Sequence, residues 1–175
     1  MSDLPRRHPN VVNLDELTAW SPPSSGPAPF GASVKRLASA AGSKQLGANC
    51  FSVPAGRTAV PLHAHHNNEE AIFVLGGKGT LQVGKDRIAV RTGDWIGLPA
   101  GEEFAHQLMA DQGEPLEYLA ISTMNGVDVV TYPNSGKLMA AVGGHPPQGS
   151  RHLFRSRDGN VDYWEGEGEA PKPGA

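Results

Sequence analysis

The stretch Ala59-Val60-Pro61-Leu62-His63-Ala64-His65-His66-Asn67-Asn68-Glu69-Glu70-Ala71-Ile72-Phe73-Val74-Leu75-Gly76-Gly77 decides how the chain reads. Two short apolar runs flank a polar turn, His66-Asn67-Asn68. The first run ends in His63-Ala64-His65. Strand side chains alternate between faces, so these two imidazoles project from one face, about 7 Å apart along the backbone. The second run reads as a strand in which Glu70, Ile72 and Val74 share one face and Ala71, Phe73 and Leu75 share the other. If the two strands pair antiparallel, the carboxylate at the start of the second arrives beside the two histidines. Glu69 competes with Glu70 for that place, and the alternation into Ile72 and Val74 favours Glu70. His66 has the opposite parity to His65 and reads as turn or surface.

Working outward, the same texture runs from about Lys35 to Ser122. Short runs at Leu46–Pro54, Ala59–His65, Glu70–Leu75, Gly79–Val83, Arg87–Val90, Asp94–Leu98, His106–Ala110 and Leu116–Ser122 alternate with turn chemistry. Pro54-Ala55-Gly56, Gly76-Gly77, Thr92-Gly93 and Pro99-Ala100-Gly101 are examples; proline presets a turn and glycine accepts positive φ. With 22 glycines and 15 prolines in 175 residues, many tight turns and few long helices are expected. Eight short strands at this spacing point to an all-β sandwich or barrel. The reading divides the chain into an arm over 1–35, a β-barrel over 36–125 and an extension over 126–175. Asn13, three residues before Glu16, offers a cap for one helical turn, with a plain loop as the alternative. Ser21–Ser33, rich in Ser, Pro and Gly, reads as a linker or a surface arm. Val127–Tyr132 reads as one more strand, and Val161–Trp164 as aromatics that dock the terminus.

Composition excludes several functions. A net charge of −3 lacks a basic nucleic-acid footprint. The apolar run Ala71–Leu75 is far shorter than the roughly 20 residues that span a bilayer. Residues 1–20 carry Asp3, Arg6, Arg7, Asp15 and Glu16 and no apolar core of a signal peptide, so a soluble, cytoplasmic protein is expected. Cys50, the single cysteine, has no intrachain disulfide partner and reads as a buried small hydrophobe.

The pattern His63-x-His65-x4-Glu70-x6-Gly77, with Gly56 and Pro61 upstream, resembles the first signature motif of the cupin superfamily. Gly93-x5-Pro99-x-Gly101 followed by His106 resembles the second, and only 15 residues, Lys78 to Thr92, separate the two. The resemblance covers residues 42–122. It implies a double-stranded β-helix, the cupin jelly roll, with irregular arms. It also implies a metal site of His63, His65, Glu70 and His106. The second motif departs from the pattern: four residues, Glu102-Glu103-Phe104-Ala105, stand where two are usual, and Ala110 stands where Asn is usual. An even insertion preserves strand parity, so His106 is either the fourth ligand or that ligand is missing.

Three imidazoles and a carboxylate suit one divalent first-row metal: Fe, Mn, Ni, Co, Cu or Zn. Arg57, after the glycine that opens the first motif, is a candidate for meeting an anionic substrate. Met109 and Tyr118 are candidates to line or fill the barrel. Glu69, Glu102 and Glu103 are the carboxylates nearest the motifs in sequence. The resemblance implies a metal-dependent enzyme on a small organic molecule, of isomerase or dioxygenase type, or else a small-molecule binder or sensor without turnover. The apolar outer face Ala71, Phe73 and Leu75 needs a cover, which the N-terminal arm or a twofold-related partner would supply; the cupin resemblance implies the partner, a homodimer.

Overall fold

The computed structural model of the protein describes residues 8–20, 29–143 and 150–155. Val161–Trp164 and most of the Ser21–Ser33 segment lie outside them. A single 3-10 turn, Leu14–Glu16, sits where the cap was expected, with the Asn13 side chain accepting a hydrogen bond from Asp15 N at 2.9 Å. Twelve strands and one short helix follow: β1 (Ser33–Arg36), α1 (Leu37–Ala40), β2 (Leu46–Val53), β3 (Ala64–His65), β4 (Glu70–Gly76), β5 (Lys78–Val83), β6 (Asp86–Arg91), β7 (Trp95–Leu98), β8 (His106–Ala110), β9 (Leu116–Thr123), β10 (Val127–Tyr132), β11 (Lys137–Val142) and β12 (Ser150–Arg155). No helix among the described residues is long and apolar enough to cross a membrane.

The strands form antiparallel sheets ordered β1-β2-β9-β4-β7, β6-β5-β8 and β12-β11-β10-β3. This is a double-stranded β-helix whose sheets enclose one apolar interior. Val53, Ile72, Val74, Leu81, Leu108, Leu116 and Tyr118 are buried there. The alternation in β4 explains its place: Ile72 and Val74 are 3% and 0% exposed, whereas Phe73 and Leu75 on the other face are 36% and 41% exposed.

The structure corrects the extent of one strand and settles one conditional pairing. First, Ala59–His65 is not one continuous strand; only Ala64–His65 is regular. Pro61 has no N–H to give to a ladder, so the segment is tied to β8 at points on either side of it. Ala59 N donates to Leu108 O at 2.9 Å, and His63 and His106 exchange backbone bonds at 3.2 and 2.8 Å. Second, β3 and β4 do not form a hairpin. β3 pairs with β10, and β4 pairs with β7 and β9. The turn between them carries the chain from one sheet to another and is bonded to β9 and β10 by its own side chains. Glu70 therefore meets the histidines across the interior, not along a shared ladder.

The chain after residue 125 is also more regular than its composition suggests. β10 pairs with β11, and β11 with β12. At the other end, β1 pairs with β2, and Trp20 bridges to Val34.

Candidate metal centre

Four expected residues converge at one end of the interior. The backbone bridge between His63 and His106 brings their rings to 4.6 Å between centroids; His63 and His65, two apart on one face, stand at 5.2 Å. Glu70, first residue of β4, points inward. Its Oε2 lies 3.1 Å from His106 Nε2 and 3.7 Å from His65 Nε2. Potential ligand atoms of His63, Glu70 and His106 all fall within 4.8 Å of one another. Donors bound to one ion at about 2.0–2.2 Å stand up to about 4.4 Å apart, so this grouping is near that size and needs to tighten by at most a few tenths of an ångström.

The longer second motif still delivers His106. A 3-10 turn over Glu102–Phe104 takes up the extra residues, and Gly101 opens it at φ 140°. Glu102 and Glu103 are exposed on that turn, and Glu69, next to Glu70 in sequence, is also exposed, its N–H bonded to Thr123 Oγ1. His66 is exposed and its Nε2 contacts Thr131 Oγ1 at 3.1 Å.

Each of the three imidazoles has its Nδ1 against an oxygen. His63 Nδ1 lies 2.9 Å from Pro61 O, His106 Nδ1 3.1 Å from Phe104 O, and His65 Nδ1 2.5 Å from Asp128 Oδ2. Carbonyl and carboxylate oxygens only accept, so each Nδ1 carries the proton. Each Nε2 is then the nitrogen that offers a lone pair. Three lone pairs and a carboxylate gathered in one place repel one another unless a cation or a proton stands between them. Such donors suit a divalent metal chemically; the ligand atoms close enough to share one ion are those of His63, Glu70 and His106, while His65 stands beside that group, its Nε2 3.7 Å from Glu70 Oε2.

The charges agree. Burial alone would raise the Glu70 carboxyl, but in acid, once the imidazoles are protonated on both nitrogens, the His106 Nε2–H contact and the charges of the three rings outweigh it and hold it at about 2. Burial, reinforced by His106, pushes His63 down from 6.5 to about 4, so this ring is neutral and ligand-competent over most of the acidic range. Burial, with Glu70 nearby, pushes the Tyr118 hydroxyl up, and it stays protonated.

The centre opens into a chamber of about 480 Å³ with apolar walls that include Ile72, Leu108, Tyr118, Ala120, Val130 and Met139. Tyr118 stacks on Phe51 at 4.9 Å. Among the described residues Glu70 is the one carboxylate in the lining, and the cations there are Arg36 and Lys44. Arg57 is exposed and does not line the chamber, and neither does Met109, whose Sδ faces Arg87 on the sheet exterior. Arg57 lies in a turn after Pro54, its N–H bonded to Pro54 O. The proximity of Arg36 and of Asp128 was not visible in sequence: neither lies in a motif, and strand pairing alone brings them here.

The cupin-domain family matches residues 49–122, a span that contains all four convergent residues. Residues 49–122 are a cupin domain. The chain is 29% identical over 105 residues to quercetin 2,3-dioxygenase of Bacillus subtilis, an alignment covering 57% of this chain and 28% of that enzyme. The chain thus spans well under half the length of that curated relative. Among solved structures, a proposed sugar phosphate isomerase from Acidithiobacillus ferrooxidans superposes with a TM-score of 0.71 at 26% identity, over 87% of this chain and 96% of that one. A cupin-superfamily sugar phosphate isomerase from Silicibacter pomeroyi gives a TM-score of 0.72 at 20% identity, over 87% and 97%, a likeness of fold.

Proposed function

We propose that the protein binds one divalent first-row transition metal, Fe, Mn, Ni, Co, Cu or Zn, through His63, His65, Glu70 and His106. On this reading it acts on a small organic substrate held in the adjoining chamber. The observation that supports this is the grouping of His63, Glu70 and His106 at the chamber's end, with His65 beside them. Such an ion supplies Lewis-acid polarisation of a substrate oxygen, or a site for O₂. The chain's own contribution is to hold the donors, to present an apolar wall that sheds water from the substrate, and to keep the Tyr118 hydroxyl available as a donor. Isomerase and dioxygenase chemistry both suit that arrangement, and the names of the dioxygenase relative and of the solved isomerase-like structure are in keeping with one each.

A second reading, a binder or sensor without turnover, has one observation in its favour: among the described residues no carboxylate but Glu70 lines the chamber to act as a general base. In either case two copies would meet on the outer face of the five-stranded sheet. Phe73 and Trp95 lie 6.4 Å apart there and Trp95 is 62% exposed.

Metal analysis of the purified protein tests the site. About one equivalent, lost in His63→Ala, is expected; below about a tenth of an equivalent with no rebinding on addition removes the proposal. Screening O₂ uptake and sugar-phosphate interconversion with exchanged metals then separates the readings. Turnover that follows the ion's identity supports the enzyme; ligand binding without turnover supports the sensor.

A further inference from the structure

We infer that Asp128, on β10, is the positioning residue that sets the tautomer and aim of His65, so that the metal centre proposed above is incomplete without a strand beyond the cupin-domain match. His63 and His106 take their Nδ1 acceptors from carbonyls two residues earlier in their own segments. His65 does not. Its acceptor is a carboxylate 63 residues further along the chain, brought in by the β3–β10 pairing of His65 with Val130.

Asp128 is 3% exposed, and every polar atom recorded against it is a donor. His65 Nδ1 and Asn68 Nδ2 (3.1 Å) meet Oδ2, and the Asn67 backbone N–H (3.0 Å) meets Oδ1. Asn68 is itself held from behind: its Oδ1 accepts from Asn125 N at 2.8 Å and from Thr123 Oγ1 at 3.3 Å. Asn125 Nδ2 closes the circuit on Asn67 O. The polar turn between β3 and β4 is thus built around the carboxylate. An acceptor-only group in this place obliges His65 to carry its proton on Nδ1 and to offer Nε2 toward Glu70. Carboxylate-to-imidazole contacts of this kind orient a metal ligand and raise its basicity; removing them costs about 10- to 100-fold in metal affinity.

An amide tests the point because it is nearly isosteric. In Asp128→Asn, an oxygen kept on Asn67 N–H puts the NH₂ against His65 Nδ1, which must then accept, moving the proton to Nε2. The reversed amide sets NH₂ against the Asn67 N–H. Neither orientation satisfies every donor.

The test uses the full chain labelled with ¹⁵N-histidine. Long-range ¹H–¹⁵N spectra at about pH 8, where imidazoles are neutral, report the His65 tautomer without any metal. Zn²⁺ affinity is then measured by chelator competition for the wild type, Asp128→Asn, His65→Ala and the double variant. Expected are a His65 proton on Nδ1 in the wild type, a roughly 10- to 100-fold weaker Zn²⁺ affinity in Asp128→Asn, and less than about a twofold further effect of that substitution once His65 is alanine. A wild-type proton on Nε2 overturns the inference. So does an equal loss in both backgrounds, which marks a purely structural role. If the wild type holds no Zn²⁺ and no other metal, the proposed function falls, while the tautomer still decides the role of Asp128.

Discussion

Replacing Gly77 by alanine should damage the fold far more than replacing Gly93, although both glycines sit at positive φ in turns of the two motifs. Gly77 has φ 82° and Gly93 φ 95°. An L-residue there costs about 1–2 kcal/mol, and for Gly93 that is the whole effect, because an added Cβ meets nothing within 4 Å. At Gly77 the Cβ would stand 2.0 Å from Pro115 O, 3.0 Å from Pro115 C and 3.2 Å from Leu116 Cα. These are backbone atoms, so no side chain can swing aside; the chain entering β9 must retreat by about 1 Å. Leu116, next to the clash, is fully buried in the core, and forcing extra volume into such packing costs about 1–3 kcal/mol more. The total is about 2–5 kcal/mol. At roughly 2–4 °C per kcal/mol for a chain of this length, Gly93→Ala lowers Tm by about 2–8 °C and Gly77→Ala by about 4–20 °C. Urea unfolding followed by tryptophan fluorescence measures both. If Gly77→Ala costs no more than Gly93→Ala, the close approach of β9 to this turn is not what selects glycine, and the reasoning fails.

In the chelated protein, stability should fall with pH in two stages. Between 6.5 and about 4 the unfolded chain takes up a proton at His63 that the folded ring refuses, a loss of up to about 3 kcal/mol. Between 4.5 and about 2 the unfolded chain likewise protonates Glu70, which the folded protein keeps ionised; His63→Gln should erase the upper stage in denaturation series at fixed pH, and an unchanged upper stage would refute its assignment. Cys50, 8% exposed and with its thiol pushed up by burial and by Glu117, should react with an aromatic disulfide only as fast as the protein unfolds; rapid labelling under native conditions would contradict that. Trp95→Glu, alone or with Phe73→Ser, should halve the mass seen in sedimentation if two copies meet on this face, and an unchanged mass would place the contact elsewhere. His66→Ala should leave metal content within about twofold of wild type, because its ring faces Thr131, whereas His65→Ala should lower affinity on the scale of a lost ligand.

Much of this protein was legible as local pattern. Period-two alternation placed Ile72 and Val74 inside and Phe73 and Leu75 outside, and the same parity put His63 and His65 on one face with His66 turned away. Turn residues marked most strand ends to within a residue or two. These features depend on neighbours in the chain, and a linear string records neighbours. Contacts between distant segments left no such trace. Nothing in Val127–Tyr132 announced that its second residue would support His65, because that contact exists only once β10 pairs with β3. The hairpin expected between β3 and β4 was the natural local guess, yet the side chains of Asn67 and Asn68 are bonded to β10 and its approach, and the turn crosses between sheets. Arg57 is a candidate pocket cation in sequence because it adjoins a motif glycine; Arg36, at the end of a strand that no motif marks, lines the chamber instead. Which face a residue takes follows from the strand's own geometry. Which strand stands opposite depends on closing loops of many tens of residues, and that is settled by burial of the whole core rather than by any short run of the chain.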